Sequence, residues 1–188
     1  MTNDHEAVEC RFAVLFDGVA PSLHAWAALR ASGPLRRRLE PEDLVQEIAV
    51  RAYQRIDDFD PDRGSFRQWI FGFAQRVWLE VLRELGRDPL SDRRRQGGDS
   101  QLDALPDSVT AISQRIAKED TLRASLARLE ELSDDDRRLV ASVGLEGLSH
   151  ADAALVLAIS EESCRKRWQR LRARLSQDPV LRSLHLCV

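Results

Sequence analysis

Cysteine is scarce in this sequence: three cysteines, Cys10, Cys164 and Cys187, are spread over 188 residues. Their number is odd, none belongs to a C-x-x-C motif, and no His/Cys cluster exists. The pattern therefore predicts neither a disulfide framework nor a zinc site. With no other ligand cluster or Gly-rich phosphate loop, we expect no metal and no cofactor. A reducing, cytoplasmic compartment is the simplest expectation.

Long apolar runs and excess positive charge are also missing. No run approaches the roughly 20 apolar residues of a bilayer span, and no basic segment precedes an apolar stretch at the N-terminus. The 28 basic and 31 acidic residues give a net charge of −3. Any nucleic-acid surface must therefore be local.

Glycine and proline are few, at 9 and 7 residues, which favours helices. Apolar residues recur with helical spacing almost throughout, and no convincing strand alternation appears, so we predict an all-α fold. Two short N-terminal helices are expected, at about 7–17 and from Pro21 to Gly33-Pro34. Two longer ones follow, at about 41–56 and 66–85, the second capped by Ser65.

The segment from Gly86 to about Asp107 is polar, charged and interrupted by Gly and Pro. It predicts a flexible linker between two small helical domains. Beyond it, capping signals at Ser133, Ser149 and Ser160 begin successive helices. The short helix after Ser149 contains mainly small residues, and Ile159 fills the turn before the next helix. We predict a four-helix second domain that contains a helix-turn-helix.

The last of these helices is strongly amphipathic. Cys164, Trp168, Leu171 and Leu175 form one apolar stripe, which predicts a buried face. The remaining positions carry six positive charges and an amide, which suit phosphates and base edges: Arg165, Lys166, Arg167, Gln169, Arg170, Arg172 and Arg174. A solvated basic face is the alternative, but the turn and cap before the helix favour DNA binding, with Ser163 at its start near the groove.

Aromatic residues concentrate in the middle of the first half, where seven of the chain's 11 occur: Tyr53, Phe59, Phe66, Trp69, Phe71, Phe73 and Trp78. Phe66, Trp69 and Phe73 share a face with Ile70 and Val77, which predicts a core stripe. Phe71 and Trp78 are expected on another, exposed face among Arg and Gln residues. Exposed rings beside cations suit stacking of unpaired bases, although burial in the core is the alternative for Trp78.

Acidic residues gather at two other places. Glu42, Asp43 and Glu47, with Gln46, lie at the start of the third helix, where they suit the helix dipole or a basic partner. Asp58, Asp60 and Asp62 begin like a calcium loop. Arg63 and Trp69 stand where that loop needs Gly and Glu, so a calcium module or metal-dependent enzyme is disfavoured.

Two motifs, in order and at family spacing, carry a resemblance to a known family. The runs from Glu40 to Ile48 and from Phe59 to Phe71 resemble the core-binding and promoter-melting region of bacterial sigma factors. The run from Gly147 to Leu175 resembles their C-terminal promoter-reading region. Length and layout are similar to the extracytoplasmic-function (ECF) class, with Ala158 and Cys164 where the family usually has Gly and Val.

The resemblance implies a sigma factor, not an enzyme, that binds core RNA polymerase and directs promoter recognition and melting. Residues 1–86 would bind core polymerase and melt the minus-ten element, 87–115 would be the linker, and 116–188 would read the minus-thirty-five element. A stand-alone helix-turn-helix regulator that does not join polymerase is the main alternative. An anti-sigma factor is a further partner that the resemblance leaves open.

The resemblance also implies site residues. Asp43, Gln46 and Glu47 would dock on the clamp helices of the largest polymerase subunit. The minus-ten DNA would contact the following set: Asp60, Arg63, Ser65, Arg67, Gln68, Trp69, Gln75, Arg76 and Trp78. The minus-thirty-five DNA would contact Ser163, Arg165, Lys166, Arg167, Gln169 and Arg170. No role is predicted for the tail after Gln177, which either packs on the second domain or binds a partner.

Overall fold

The structure is a computed structural model that describes residues 2–31, 37–87 and 105–186. Within these residues every regular element is helical, which confirms the predicted all-α class. The chain divides into two compact units. Unit 1 contains Met1–Ala20 and Gly33–Arg115, and unit 2 contains Pro21–Ser32 and Ile116–Val188.

The first helix, α1, runs without a break over Thr2–Arg30 and has Pro21 in its interior. The prediction of two separate N-terminal helices is therefore wrong; their proposed end at Gly33-Pro34 lies outside the described residues. An interior proline costs a helix about 3 kcal/mol because it removes one N–H and crowds the preceding turn. Leu23 and Trp26, both completely buried, lie just after Pro21, and their burial offsets that cost.

The unbroken α1 also changes the expectation about long apolar segments. Its Glu6–Arg30 stretch is long and apolar enough to pass a simple test for a membrane-spanning helix. However, 56% of its most apolar window is buried inside the protein. A core helix has the same composition, so burial accounts for the apolar character of α1.

Unit 1 contains two further long helices. Helix α2 covers Pro41–Tyr53, a 3-10 turn covers Ile56–Asp58, and helix α3 covers Phe66–Arg87. Leu44, Ile48, Ala52 and Ile56 are all buried, as their spacing predicts. Helix α2 ends at Tyr53, three residues earlier than predicted, so Ile56 reaches the core from the 3-10 turn.

Residues 88–104, most of the predicted linker, lie outside the described residues. The polar segment was predicted to end near Asp107, where helix α4 begins; α4 extends to Lys118 and so covers the last part of the 87–115 range implied by the resemblance. Val109, Ser113 and Ile116 are buried at i, i+4 and i+7 of this helix. This apolar face gives α4 a packing surface, which a solvated linker lacks.

Among the described residues after Lys118, unit 2 contains four α-helices, as predicted, in addition to the end of α1 from Pro21. Helix α5 covers Asp120–Glu130, and α6 covers Asp134–Leu139 and continues as a π-helical segment over Val140–Leu145. Helix α7 covers His150–Leu157 and α8 covers Glu161–Leu175. The core includes Leu129, Leu139 and Leu145, all completely buried.

The tail after Gln177 packs on unit 2, which was one of the two expectations for it. It forms a 3-10 helix over Pro179–Leu184 in which Leu181 and Leu184 are buried. Ser125 Oγ on α5 donates to the Val180 carbonyl at 2.9 Å.

Candidate nucleic-acid interfaces

The turn between α7 and α8 has the geometry of a helix-turn-helix connection. Ala158 adopts a left-handed conformation with φ 54° and ψ 42°. Its N–H donates to the Leu155 carbonyl at 3.3 Å, and the Ile159 N–H donates to the Ala154 carbonyl at 3.1 Å. This pair of bonds is the Schellman motif, which ends α7 and redirects the chain.

Serine caps begin both helices of this motif, as predicted. Ser149 Oγ accepts from the Asp152 N–H at 3.1 Å at the start of α7. Ser160 Oγ accepts from the Ser163 N–H at 3.2 Å at the start of α8. The Ser163 hydroxyl also accepts a hydrogen bond from Ser160 Oγ at 2.8 Å, so this predicted DNA contact takes part in the cap.

The inner face of α8 confirms the predicted stripe, because Cys164, Trp168, Leu171 and Leu175 are all buried. Burial, and then the nearby Glu161 carboxylate, raise the pKa of the Cys164 thiol above its ordinary value. Trp168 lies against Gly144 in the π-helical segment, where a Cβ would come within 2.8 Å of the indole Cη2 atom. A glycine at 144 is therefore what allows the indole to pack there.

The outer face of α8 carries both basic and acidic side chains. Lys166 Nζ lies 2.6 Å from Glu162 Oε1, and Arg165 Nη1 lies 3.8 Å from Glu161 Oε1. These i,i+4 pairs are exposed and weak, so a phosphate can replace the carboxylate. Gln169 and Arg170 are exposed and have no acidic partner among the residues described.

Arg167 differs from its neighbours on α8. It was predicted to face outward, but its side chain is only 33% exposed and contacts the start of α6. Its Nε donates to Asp136 Oδ1 at 3.0 Å and its Nη1 to Asp135 Oδ2 at 3.1 Å. Burial works against the charged form, yet these two hydrogen bonds outweigh it and raise the pKa of Arg167. Sequence reasoning missed this because the partners lie about 30 residues earlier in the chain.

Unit 1 contains a separate cleft of about 380 Å³ where the loop after the 3-10 turn meets the start of α3. Five predicted minus-ten residues line it: Asp60, Arg63, Ser65, Gln68 and Trp69. Asp58, Phe59 and Gly64 line it as well and were not among the individually predicted site residues. Their position beside the predicted residues was the available signal.

Local hydrogen bonds fix the shape of this cleft. Asp60 Oδ1 accepts from the Asp62 N–H at 2.9 Å, which makes a tight turn rather than a cation loop. Ser65 Oγ accepts from the Gln68 N–H at 3.3 Å, and Gln68 Oε1 accepts from the Ser65 N–H at 3.1 Å. This is the predicted capping box, and it orients Gln68 along the wall of the cleft.

An aromatic cluster lies along one wall of the cleft and beyond it. The Trp69 ring centroid is 5.6 Å from that of Phe59 and 4.8 Å from that of Phe73. Arg76, an exposed predicted site residue, lies with its Cζ 5.4 Å from the Phe73 ring centroid. Trp69 and Phe73 are half-buried. Partly exposed rings beside cations form the kind of surface on which an unpaired base can stack.

On the opposite edge of α3, the position of Trp78 differs from the predicted one. Trp78 and Phe71 were expected on an exposed face, yet they are only 9% and 1% exposed. The buried stripe of α3 is displaced toward these two residues, which leaves Trp69 and Phe73 at its exposed edge. Predicted residues Arg67 and Gln75 are half-buried on α3, and the Arg67 Cζ lies 5.1 Å from the Phe71 ring centroid. Neither lines the cleft.

The three predicted docking residues lie on α2 with different surroundings. Asp43 is exposed. Gln46 is half-buried, and its Oε1 atom is buried without a hydrogen-bond partner among the residues described. Glu47 Oε1 accepts from Arg51 Nε at 2.6 Å, and Arg51 also pairs with Glu80 on α3. Burial lowers the pKa of Arg51, but its bonds to Glu80 and Glu47 outweigh this and raise it overall.

Comparison with known proteins assigns this chain to one family. The sequence profile described as ECF sigma factor matches residues 4–179. The RNA polymerase sigma factor CnrH of Cupriavidus metallidurans is 31% identical over 146 residues, or 72% of this chain and 71% of that protein. The ECF RNA polymerase sigma factor EcfG of Rhodopseudomonas palustris is 31% identical over 162 residues, or 83% of this chain and 78% of that protein.

A solved structure, that of CnrH in complex with the cytosolic domain of CnrY, is 23% identical and covers 91% of this chain and 94% of that one. The TM-score between the two structures is 0.35.

The fold defines a helical protein of two units, the second built around a helix-turn-helix. The chain belongs to the ECF sigma factor family. It is a sigma factor that directs RNA polymerase in transcription initiation, and a stand-alone regulator is not favoured.

Proposed function

We propose that the two units share promoter recognition, with the cleft of unit 1 holding an unpaired base of the minus-ten element. The observation that carries this proposal is the cleft itself, which collects Asp60, Arg63, Ser65, Gln68 and Trp69 around one 380 Å³ space. Trp69 supplies a stacking surface, Arg63 a cation for the backbone, and Asp60 and Gln68 polar groups for a base edge. This cleft is a better candidate than the buried Trp78.

Helix α8 is proposed to read the minus-thirty-five element as duplex DNA. Gln169 and Arg170 lie exposed on it, and Arg165 and Lys166 can exchange weak carboxylate pairs for phosphates. The acidic Asp43 and its neighbours on α2 are proposed to dock on the clamp helices of the largest polymerase subunit. Two weak DNA contacts plus polymerase binding give the complex avidity that neither contact has alone. The proposed compartment is the cytoplasm, and the proposed role involves no catalysis by this chain.

The cleft is tested by Trp69→Ala in the full-length protein with core polymerase and a promoter carrying a fluorescent base analogue. We expect open-complex formation to fall about tenfold or more, because stacking contributes about 1–3 kcal/mol per base. Core binding, measured by pull-down, should be unchanged. Arg83→Ala is the matched control, since Arg83 is an exposed α3 residue outside the cleft. If Trp69→Ala and Arg83→Ala form the open promoter complex to the same extent, the cleft is excluded as the base-binding site.

The docking surface is tested by Asp43→Lys, which reverses one exposed charge on α2. We expect loss of core-polymerase capture, because the proposed surface on the polymerase is basic. Glu42→Lys makes the same charge change one position earlier, on a different face of the helix. If Asp43→Lys and Glu42→Lys reduce polymerase capture equally, the effect is one of general charge, and the specific role of Asp43 is overturned.

A further inference from the structure

Unit 2 contains a second cleft that the proposed DNA contacts do not use. It has a volume of about 330 Å³ and lies between the second half of α8 and the 3-10 helix of the tail. Its walls include Trp168, Leu175, Leu181 and Leu186. This volume is at the small end of the roughly 300–1,000 Å³ range of clefts that bind small organic molecules.

The tail wall of this cleft is fixed by hydrogen bonds. Asp178 Oδ1 accepts from the Val180 N–H at 2.9 Å, and the Val180 carbonyl accepts from Ser125 Oγ on α5. Ser22 Oγ donates to the carbonyl of Leu184, whose side chain is completely buried. The backbone of His185, which lines the cleft, adopts the left-handed conformation with φ 42°. A wall that is ordered in advance lowers the entropy cost of binding a ligand.

Two arginines give the cleft a positive rim. Arg172 and Arg182 line it, and both are exposed. Within the described part of the chain neither has an acidic partner, whereas several other arginines of unit 2 do, among them Arg128, Arg167 and Arg174. An unpaired guanidinium presents a planar fork of N–H donors that matches a carboxylate.

We infer that this cleft binds a small amphiphilic anion, a carboxylate with an apolar chain. The carboxylate lies against Arg172 and Arg182, and the chain packs on Trp168 and Leu181. An uncharged apolar ligand leaves the two guanidinium groups unused, and a simple ion leaves the apolar walls in contact with water. The inference rests on the cleft alone and is independent of the proposed promoter contacts.

The experiment titrates the full-length protein with octanoate by calorimetry and follows the Trp168 indole N–H signal by NMR, assigned with Trp168→Phe. Acetate provides the head group alone, and octanol provides the chain alone. We expect saturable 1:1 octanoate binding that shifts the Trp168 signal, with much weaker binding of both comparators. The Arg172→Gln/Arg182→Gln pair should weaken octanoate binding at least about tenfold, because it removes charge-assisted hydrogen bonds.

Arg170→Gln is the matched control, because Arg170 is exposed on the same helix but does not line the cleft. Its octanoate affinity should equal that of the unchanged protein. Absence of saturable octanoate binding would overturn the inference. Octanol binding as tight as octanoate, or an equal loss in Arg170→Gln, would show that the arginine rim does not select the ligand.

Discussion

Arg167 Nε on α8 donates to Asp136 Oδ1 at 3.0 Å, which ties the proposed reading helix to the start of α6. Arg174 reaches the other oxygen of the same carboxylate at 3.4 Å. One aspartate therefore holds two arginines of α8. The basic residues of this helix consequently divide into those that orient it and those that are available to DNA.

This division predicts different effects for Arg167→Ala and Arg170→Ala. Arg167→Ala should lower the free energy of unfolding by about 1 kcal/mol, a modest value because the side chain is a third exposed. Arg170→Ala should leave stability unchanged and reduce the salt dependence of duplex binding by about one unit of slope. Thermal unfolding and binding to minus-thirty-five duplex DNA at several salt concentrations measure the two quantities. Equal salt slopes in both variants would contradict the division.

The left-handed Ala158 predicts that Ala158→Gly stabilises unit 2. A non-glycine residue in the left-handed region of backbone conformation costs about 1–2 kcal/mol. Glycine removes this cost, but part of the gain is lost because glycine has more conformational freedom in the unfolded chain. We expect a net gain of about 0.5–1 kcal/mol in a denaturant titration. Ala173→Gly is the control, because Ala173 is an exposed residue inside α8 where glycine should destabilise. Destabilisation by both changes would show that the turn does not require the left-handed conformation.

Gly144 and Gly72 should respond in opposite ways to alanine. A Cβ at Gly144 would lie 2.8 Å from Trp168 Cη2, so Gly144→Ala must displace the indole and should cost about 1–3 kcal/mol. A Cβ at Gly72 meets nothing within 4 Å, and Gly72 lies inside α3, so Gly72→Ala should stabilise by up to about 1 kcal/mol.

Thermal unfolding combined with the Trp168 indole NMR signal distinguishes the two glycine variants. Only Gly144→Ala should shift that signal. An unchanged Trp168 signal in Gly144→Ala would mean that the indole does not pack against this glycine.

The raised pKa of Cys164 predicts a loss of stability at alkaline pH. The folded chain keeps the thiol proton at pH values where the unfolded chain releases it, so this contribution is complete below the unfolded pKa of about 8.5. It declines as the pH rises from there through the folded pKa. Cys164→Val has no proton to lose and should therefore lose less stability between pH 8 and pH 10.

Denaturant titrations across this pH range measure the difference. Tyr53, whose pKa is also raised by burial, is present in both proteins and does not affect the comparison. Cys10→Ser, at an exposed cysteine, should keep the steeper profile of the unchanged protein. Identical profiles for Cys164→Val and the unchanged protein would exclude the thiol as the cause.

Sequence reasoning succeeded where a few neighbouring residues determine the outcome. The caps at Ser65, Ser133, Ser149 and Ser160 all form, because each needs only a hydroxyl and an N–H about three residues later. The buried stripe of α8 follows in the same way from helical spacing. Five of the nine residues predicted to contact the minus-ten element line one cleft because they lie within ten residues of one another.

Sequence reasoning failed where contacts between residues far apart in the chain determine the structure. Trp78 is buried because neighbouring elements cover that edge of α3, and helical spacing alone does not reveal which edge is covered. Arg167 is held by carboxylates about 30 residues away. Pro21 lies inside a continuous helix because the residues after it pack into a core, which local propensity does not include.

Trp26 illustrates a contact at still longer range: its indole Nε1 donates to Glu146 Oε1 at 2.6 Å, across 120 residues of sequence. Arg30 Nε donates to the same oxygen at 3.0 Å. At a synthesis rate of about 5–20 residues per second, Trp26 is made many seconds before its partner exists. Unit 2 can therefore complete its core only late in translation, and a fragment starting at residue 116 would lack a helix that its core requires.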